Sequence, residues 1–288
     1  MSDRVEVIDT HVHIVAQDEQ AYPLNPAGLP GAWYREAPYS AEAFIDCMHD
    51  AGVDRAVLVQ PVGAYSFDNR YTADSMQAHP GLFAGACCVD VNGPQPGAEL
   101  RHWLQERGMQ GVRLFALDLE GPGWLAEPVA QPLWECAAEL GAHVIVTIFP
   151  HQFPQLRAML QRYPQVRVSM DHCGFPPVNG PPWSDSAALT DLVEYDNLYL
   201  KVTSHVFHSV IDQGYHPSQW VQHLVSHFGA DRLMWGSDFS QTHGAGYVEL
   251  VVLAREAFAG LPAADRDLCM GGTAARLWPV LQPAAAVP

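Results

Sequence analysis

Eight short runs of β-branched and apolar residues recur along the chain, with helix-length amphipathic segments between them. The runs cover residues 5–10, 55–60, 82–89, 111–115, 143–148, 166–171, 198–203 and 233–237. They are apolar at successive positions instead of alternating, the pattern of parallel strands covered on both faces. Helical periodicity fills 40–51, 71–79, 98–107, 127–140, 154–162 and 217–228. Ser40 opens the first of these and Gly52 stops it, while Gly108 and Gly141 end later ones. Repeated strand–helix alternation over this length predicts an α/β fold, a single-domain (β/α)8 TIM barrel over residues 1–278. An open doubly wound sheet is the other architecture with this alternation, but no Gly-rich phosphate loop follows the first run. Residues 279–288, rich in Pro and Ala, read as a frayed tail.

Composition narrows the function classes. With 48% hydrophobic residues in 288, the chain can bury a large core, which excludes disorder as its overall state. Against 32 acidic side chains stand 15 basic ones, a net charge of −17 with no local basic cluster, so nucleic acid is not an expected partner. No apolar run reaches the length of a membrane span, and the polar start Met1-Ser2-Asp3-Arg4 carries no signal core. The six cysteines are scattered through apolar segments without a Cys-x-x-Cys pair, as expected of reduced thiols in a cytoplasmic protein.

Chemistry concentrates where the apolar runs end. The first run leads into Asp9-Thr10-His11-Val12-His13, and residues two apart on a strand share a face, so both imidazoles point into the barrel mouth. Random placement of the 14 histidines would give roughly 0.6 such pairs, so position and not the pair itself carries the weight. The fourth run contains Arg113, the sixth closes with Asp171-His172-Cys173-Gly174, and the eighth with Ser237-Asp238. Ionisable groups at the ends of buried strands are costly to hold idle and mark a site. Arg113 is a candidate clamp for a substrate carboxylate, or the partner of Asp90 or Asp118 in an ion pair. Gln60, Tyr34, His205 and His243 are further candidate substrate contacts from the loops, and Lys201 reads as structural. The long Pro-rich stretch 14–38 and the irregular stretch 175–183 both follow strands at the catalytic end, where such loops shape a pocket. Thr273, after Gly271-Gly272, reads as the N-cap of a closing helix.

The segments VIDTHVHI, AGVDRAVLVQP, GVRLF, VSMDHCG, LYLKVTS, RLMWGSDF and GGTAARLW together resemble the amidohydrolase superfamily. They are most similar to its amidohydrolase-2 branch, near the 2-pyrone-4,6-dicarboxylate lactonases and sugar-lactone lactonases. The resemblance implies a hydrolase acting on a cyclic ester, with Asp238 and His172 catalytic and His11, His13 and Asp238 as ligands if a divalent metal, zinc or manganese, is bound. The lactonases of the branch are thought to work without metal, so the resemblance makes a metal-independent route the default, in which Asp238 is the general base and His11, His13 and His172 polarise the carbonyl. Decarboxylases of the branch carry His-Pro after the fifth strand, where this chain has Phe149-Pro150. A metal-dependent decarboxylase of an aromatic or unsaturated acid, which shares the fold and much of the strand-end set but wants that missing His, is the alternative reading. The expected partner is a small carboxylate or lactone, and a homodimer is compatible with a barrel of this size.

Overall fold

The computed structural model describes residues 6–26, 31–242 and 245–282. Eight parallel strands form one sheet in sequence order: β1 (Ile8–Val12), β2 (Arg55–Val59), β3 (Phe83–Cys88), β4 (Gly111–Phe115), β5 (His143–Thr147), β6 (Val168–Met170), β7 (Leu198–Thr203) and β8 (Leu233–Gly236). Helices alternate with them, so the architecture is the (β/α)8 barrel.

The strands are buried on both faces, which is why their sequences read as continuous apolar runs. One face packs outward: Leu58, Val112, Leu114, Val144, Val146, Leu200, Val202 and Trp235 join a core with helix residues such as Phe44, Leu133 and Leu224. The other fills the barrel with Ile8, Val57, Val59, Ala84, Ala86, Ile145 and Met234, over a floor of Trp278, Leu277 and Leu281. Strand alternation then assigns the polar residues. Arg113 lies between outward-facing Val112 and Leu114, and Lys201 between Leu200 and Val202, so both enter the barrel.

Closure between β1 and β8 uses few ladder bonds. Asp9 bridges the seam: its Oδ1 accepts from the backbone N–H groups of His11 at 3.0 Å and Ser237 at 2.9 Å, and its Oδ2 from the Tyr247 hydroxyl at 3.0 Å. Above it the Asp238 N–H donates to His11 O at 2.9 Å and the His13 N–H to Phe239 O at 2.6 Å. Gly236 allows this approach, because a Cβ there would meet the His11 Cβ at 2.8 Å.

Several expectations shift in detail. The first strand runs through Val12, because its pairing with β2 begins at Ile8↔Arg55 and continues past an irregularity to Val12↔Leu58. The sixth stops at Met170, and two residues on, at His172, the chain turns left-handed. Ser40 caps the helix Ala41–Ala51, accepting from Ala43 N at 3.2 Å, and Gly52 ends it at φ 65°. Thr273 is not an N-cap: a π-helical turn, Leu268–Gly272, runs straight into the helix Thr273–Leu277, so no helix begins there. The proposed tail begins with a 3-10 turn, Pro279–Leu281, that buries Leu281 under the barrel, and residues 283–288 lie outside the described set. No helix among the described residues is long and apolar enough to cross a membrane.

Substituting Gly236→Ala should push β8 from β1 and cost about 1–3 kcal/mol, the usual penalty of overpacking. Urea denaturation measures it; an unchanged midpoint would show that the seam does not need the close approach.

Candidate active site

Asp171 organises the site from below. It is completely buried, and four other strands supply its partners. Its Oδ2 accepts from Arg113 Nε and Thr147 Oγ1, both at 2.8 Å, while its Oδ1 lies 3.1 Å from His11 Nδ1 and 3.2 Å from Lys201 Nζ. Burial alone would push the carboxyl pKa up; Lys201, His11 and Arg113 overcome that and hold it well below the usual range. Lys201 is fully buried with no aligned hydrogen bond, so its contact with Asp171 is an ion pair.

This ionised carboxylate settles the His11 tautomer. Nδ1 carries the proton toward Asp171, leaving a lone pair on Nε2. His13 is fixed the same way, because its Nδ1 lies 2.8 Å from Val59 O, which can only accept. The two Nε2 atoms are 3.2 Å apart, and Asp238 Oδ1 lies 3.4 Å from one and 3.6 Å from the other. Three lone-pair-bearing atoms thus converge with no hydrogen between them. Such an arrangement requires a positive centre, supplied by a divalent cation or by a proton on Asp238.

His172 completes the group. Its Nδ1 lies 2.7 Å from Thr203 Oγ1, and ligand atoms of His11, His172 and Asp238 all fall within 4.8 Å of one another. Both His172 (φ 53°) and Asp238 (φ 60°) are left-handed, a region that His and Asp tolerate better than most side chains. Those turns carry the two groups over the mouth where their strands end. Burial pushes the pKa of His13 and of His172 down to about 3 and that of His11 well down, so all three are neutral imidazoles fit for metal ligation. Burial raises Asp238 to about 7, with Arg113 opposing and Asp171 and Asp9 adding to the rise.

A cleft of about 170 Å³ opens above this group, walled by Arg113, Phe115, Thr147, His172, Phe175, His205, Asp238 and Gln241 among others. A larger pocket, about 520 Å³, lies at the opposite end of the barrel beside Arg167, Arg232 and Arg276, away from the histidines. Volume is therefore a poor guide here, and the convergence of neutral ligands beside a raised-pKa acid is the stronger signal.

The structure brings together His11, His13, His172, Asp238 and Arg113, and sets His205 on the cleft wall. Arg113 pairs with Asp171 and not with Asp90 or Asp118, while its two Nη atoms donate to no acceptor among the described residues. Two candidates leave the set. Gln60 is buried and fully committed, donating to Ser66 O and Asp68 O and accepting from Thr72 Oγ1, so it ties down the loop after β2. Tyr34 packs with Val15, Trp33, Ala64 and Tyr65 in an aromatic cluster and does not line the cleft, while Trp33 lies against His13. His243 lies outside the described residues. Sequence reasoning passed over Asp171 and Thr147 as site residues; the signal was a polar residue at the inward positions of otherwise apolar runs.

A parallel barrel with a neutral imidazole cluster and an adjacent acid at its C-terminal mouth defines a hydrolytic or lyase-type enzyme scaffold. The profile of the amidohydrolase family matches residues 8–280, and the chain belongs to that family. It is 27% identical over 248 residues to an L-fucono-1,5-lactonase of Burkholderia ambifaria, covering 83% of this chain and 82% of that one. Identity to a 4-sulfomuconolactone hydrolase of Rhizobium radiobacter is 25% over 242 residues, covering 80% and 74%. A solved Pseudomonas putida protein, provisionally named 2-pyrone-4,6-dicarboxylic acid hydrolase, superposes with a TM-score of 0.77 at 26% identity, covering 97% and 99%.

Replacing Asp171 by Asn keeps the shape but strands two buried cations. The expected loss is about 3–5 kcal/mol of folding stability, read by urea denaturation. A variant as stable as the parent would show that Arg113 and Lys201 find other counter-charges.

Proposed function

We propose that the chain is a hydrolase that opens a small lactone, with Asp238 as the general base, His172 polarising the carbonyl beside Arg113, and His11 and His13 able to add to this only through a divalent cation that they would hold. The observation that carries this reading is the meeting of Asp238 Oδ1 with two lone-pair-bearing imidazole nitrogens at 3.4 and 3.6 Å. Three relatives with lactone-hydrolysing names, from two sequence comparisons and one structural one, support the reaction class.

The chemistry balances on these residues. Ionised Asp238 takes a proton from a water whose oxygen bonds to the lactone carbonyl carbon. The resulting oxyanion is stabilised by the guanidinium of Arg113 and by the Nε2–H that His172 carries when the Thr203 hydroxyl donates to its Nδ1. As the intermediate collapses, the bond from that carbon to the ring oxygen breaks, and Asp238 returns the proton to the departing oxygen. The product is the open-chain hydroxy acid.

The donor set also fits a divalent cation such as zinc or manganese, held by His11, His172 and Asp238 with His13 adjacent. Bound there, it would polarise the carbonyl and acidify water. The decarboxylase alternative lacks support at β5, where Phe149 packs its ring 5.3 Å from that of Phe175. Buried free thiols at five of the six cysteines accord with a cytoplasmic setting.

Asp238→Asn should lower kcat for lactone opening by about 10³-fold while leaving the fold intact; turnover within tenfold of the parent would remove Asp238 as base. In chelator-treated protein, the acid raised to about 7 must lose its proton to act. Its kcat/KM should therefore climb about tenfold per pH unit below pH 7 and level off above it. Added zinc or manganese favours the ionised carboxylate and should move that limb to lower pH. A profile unaltered by metal would show that no cation sits at Asp238.

A further inference from the structure

Beyond the cleft over Asp238 lies a second, smaller chamber of about 110 Å³, lined by Phe175, Pro176, His205, Val206 and Ser209. Phe175 and His205 line both spaces. Their ring centroids are 5.3 Å apart at an interplanar angle of 76°, so edge and face meet as a partition. The partition is braced from behind. Phe175 lies 4.8 Å from the ring of His172 and 5.3 Å from that of Phe149, and its own backbone is left-handed at φ 53°. His205 sits in the first turn of the helix Ser204–Asp212, which follows β7 directly and also carries Val206 and Ser209.

Size separates what each space can hold. The inner cleft, about 170 Å³, is well under the roughly 300–1,000 Å³ of sites for drug-sized ligands, so it suits one small ring. At ~30 Å³ per heavy atom, the outer chamber takes about four more. Its walls combine the apolar side chains of Phe175, Pro176 and Val206 with one hydroxyl and one imidazole.

Resting on the lactonase reading, we propose that the outer chamber is a substituent subsite. The Phe175–His205 partition admits a short arm carried by a ring carbon away from the carbonyl, and so sets the substrate class as monocyclic lactones with one arm of up to about four heavy atoms. Phe175 and His205 are then specificity-determining residues, not groups that move protons.

The test compares kcat/KM for δ-valerolactone, which has no arm, with that for δ-nonalactone, which carries a four-carbon arm. Ser209→Phe fills the chamber from the helix and should lower the nonalactone-to-valerolactone ratio by about tenfold or more, the scale of lost methylene contacts in an apolar pocket. Phe175→Ala removes the partition and should raise the same ratio, whatever it does to overall rate. A general loss of structure would lower both rates together and leave the ratio in place. If the parent opens both lactones and a variant that keeps the parent's circular dichroism spectrum leaves the ratio unshifted, the subsite is wrong while the lactonase reading stands. If the parent opens no lactone, the lactonase reading fails and this one falls with it.

Discussion

The ion cluster around Asp171 is the interaction on which the rest of the site depends. A carboxylate without access to water must be matched by positive charge or protonated. Here Arg113 from β4, Lys201 from β7, Thr147 from β5 and His11 from β1 all reach the one carboxylate at the end of β6. The cluster ties together strands that are not all neighbours, and it does so directly beneath the mouth. Replacing such a cluster by apolar groups could be as stable or more so, which makes stability a weak reason for its presence. Its consequence for chemistry is clearer. An ionised Asp171 orients one imidazole, and that orientation presents a lone pair to Asp238.

Closure of the barrel supplies the second half of the arrangement. Asp9 spans the β1–β8 seam, and burial raises its pKa to about 6 against the hydrogen bonds of Ser237 and His11. By holding the backbone of both strands, it brings Asp238 over the His11 and His13 rings. The two left-handed residues, His172 and Asp238, then place side chains where a continuing strand would direct them elsewhere. Backbone strain of this kind costs on the order of 1–3 kcal/mol per residue and persists only where the surroundings enforce it. Both sites are enforced, one by Thr203 and the other by the hydrogen bond to His11 O.

Net charge and local charge point in opposite directions in this protein. The chain carries −17 overall, yet Arg113 and Lys201 are both buried beneath the cleft, and the imidazoles around it are neutral. An anionic oxyanion therefore develops in a small volume where fixed donors and cations dominate the nearby field. The aromatic cluster of Trp33, Tyr34 and Tyr65 covers the far side of His13 and keeps that flank dry.

The barrel was legible because strands buried on both faces leave a simple trace, an unbroken apolar run, and eight of them separated by helical periodicity admit few architectures. His11, His13, His172, Asp238 and Arg113 were legible because each stands at or near the end of such a run. The ion partner of Arg113 was not, since Asp90, Asp118 and Asp171 are equivalent in one dimension and only the inward register of β4 and β6 selects the last. That Gln60 and Tyr34 do not line the cleft was not legible for a related reason: a residue after a strand can turn into the mouth or away from it, and loop packing decides. The sequence by itself determined the fold, through hydrophobic periodicity, and the kinds of groups at the mouth. Only the tertiary structure decided which nitrogen of each histidine faces Asp238, because that depends on hydrogen-bond partners 46 and 160 residues away in the chain.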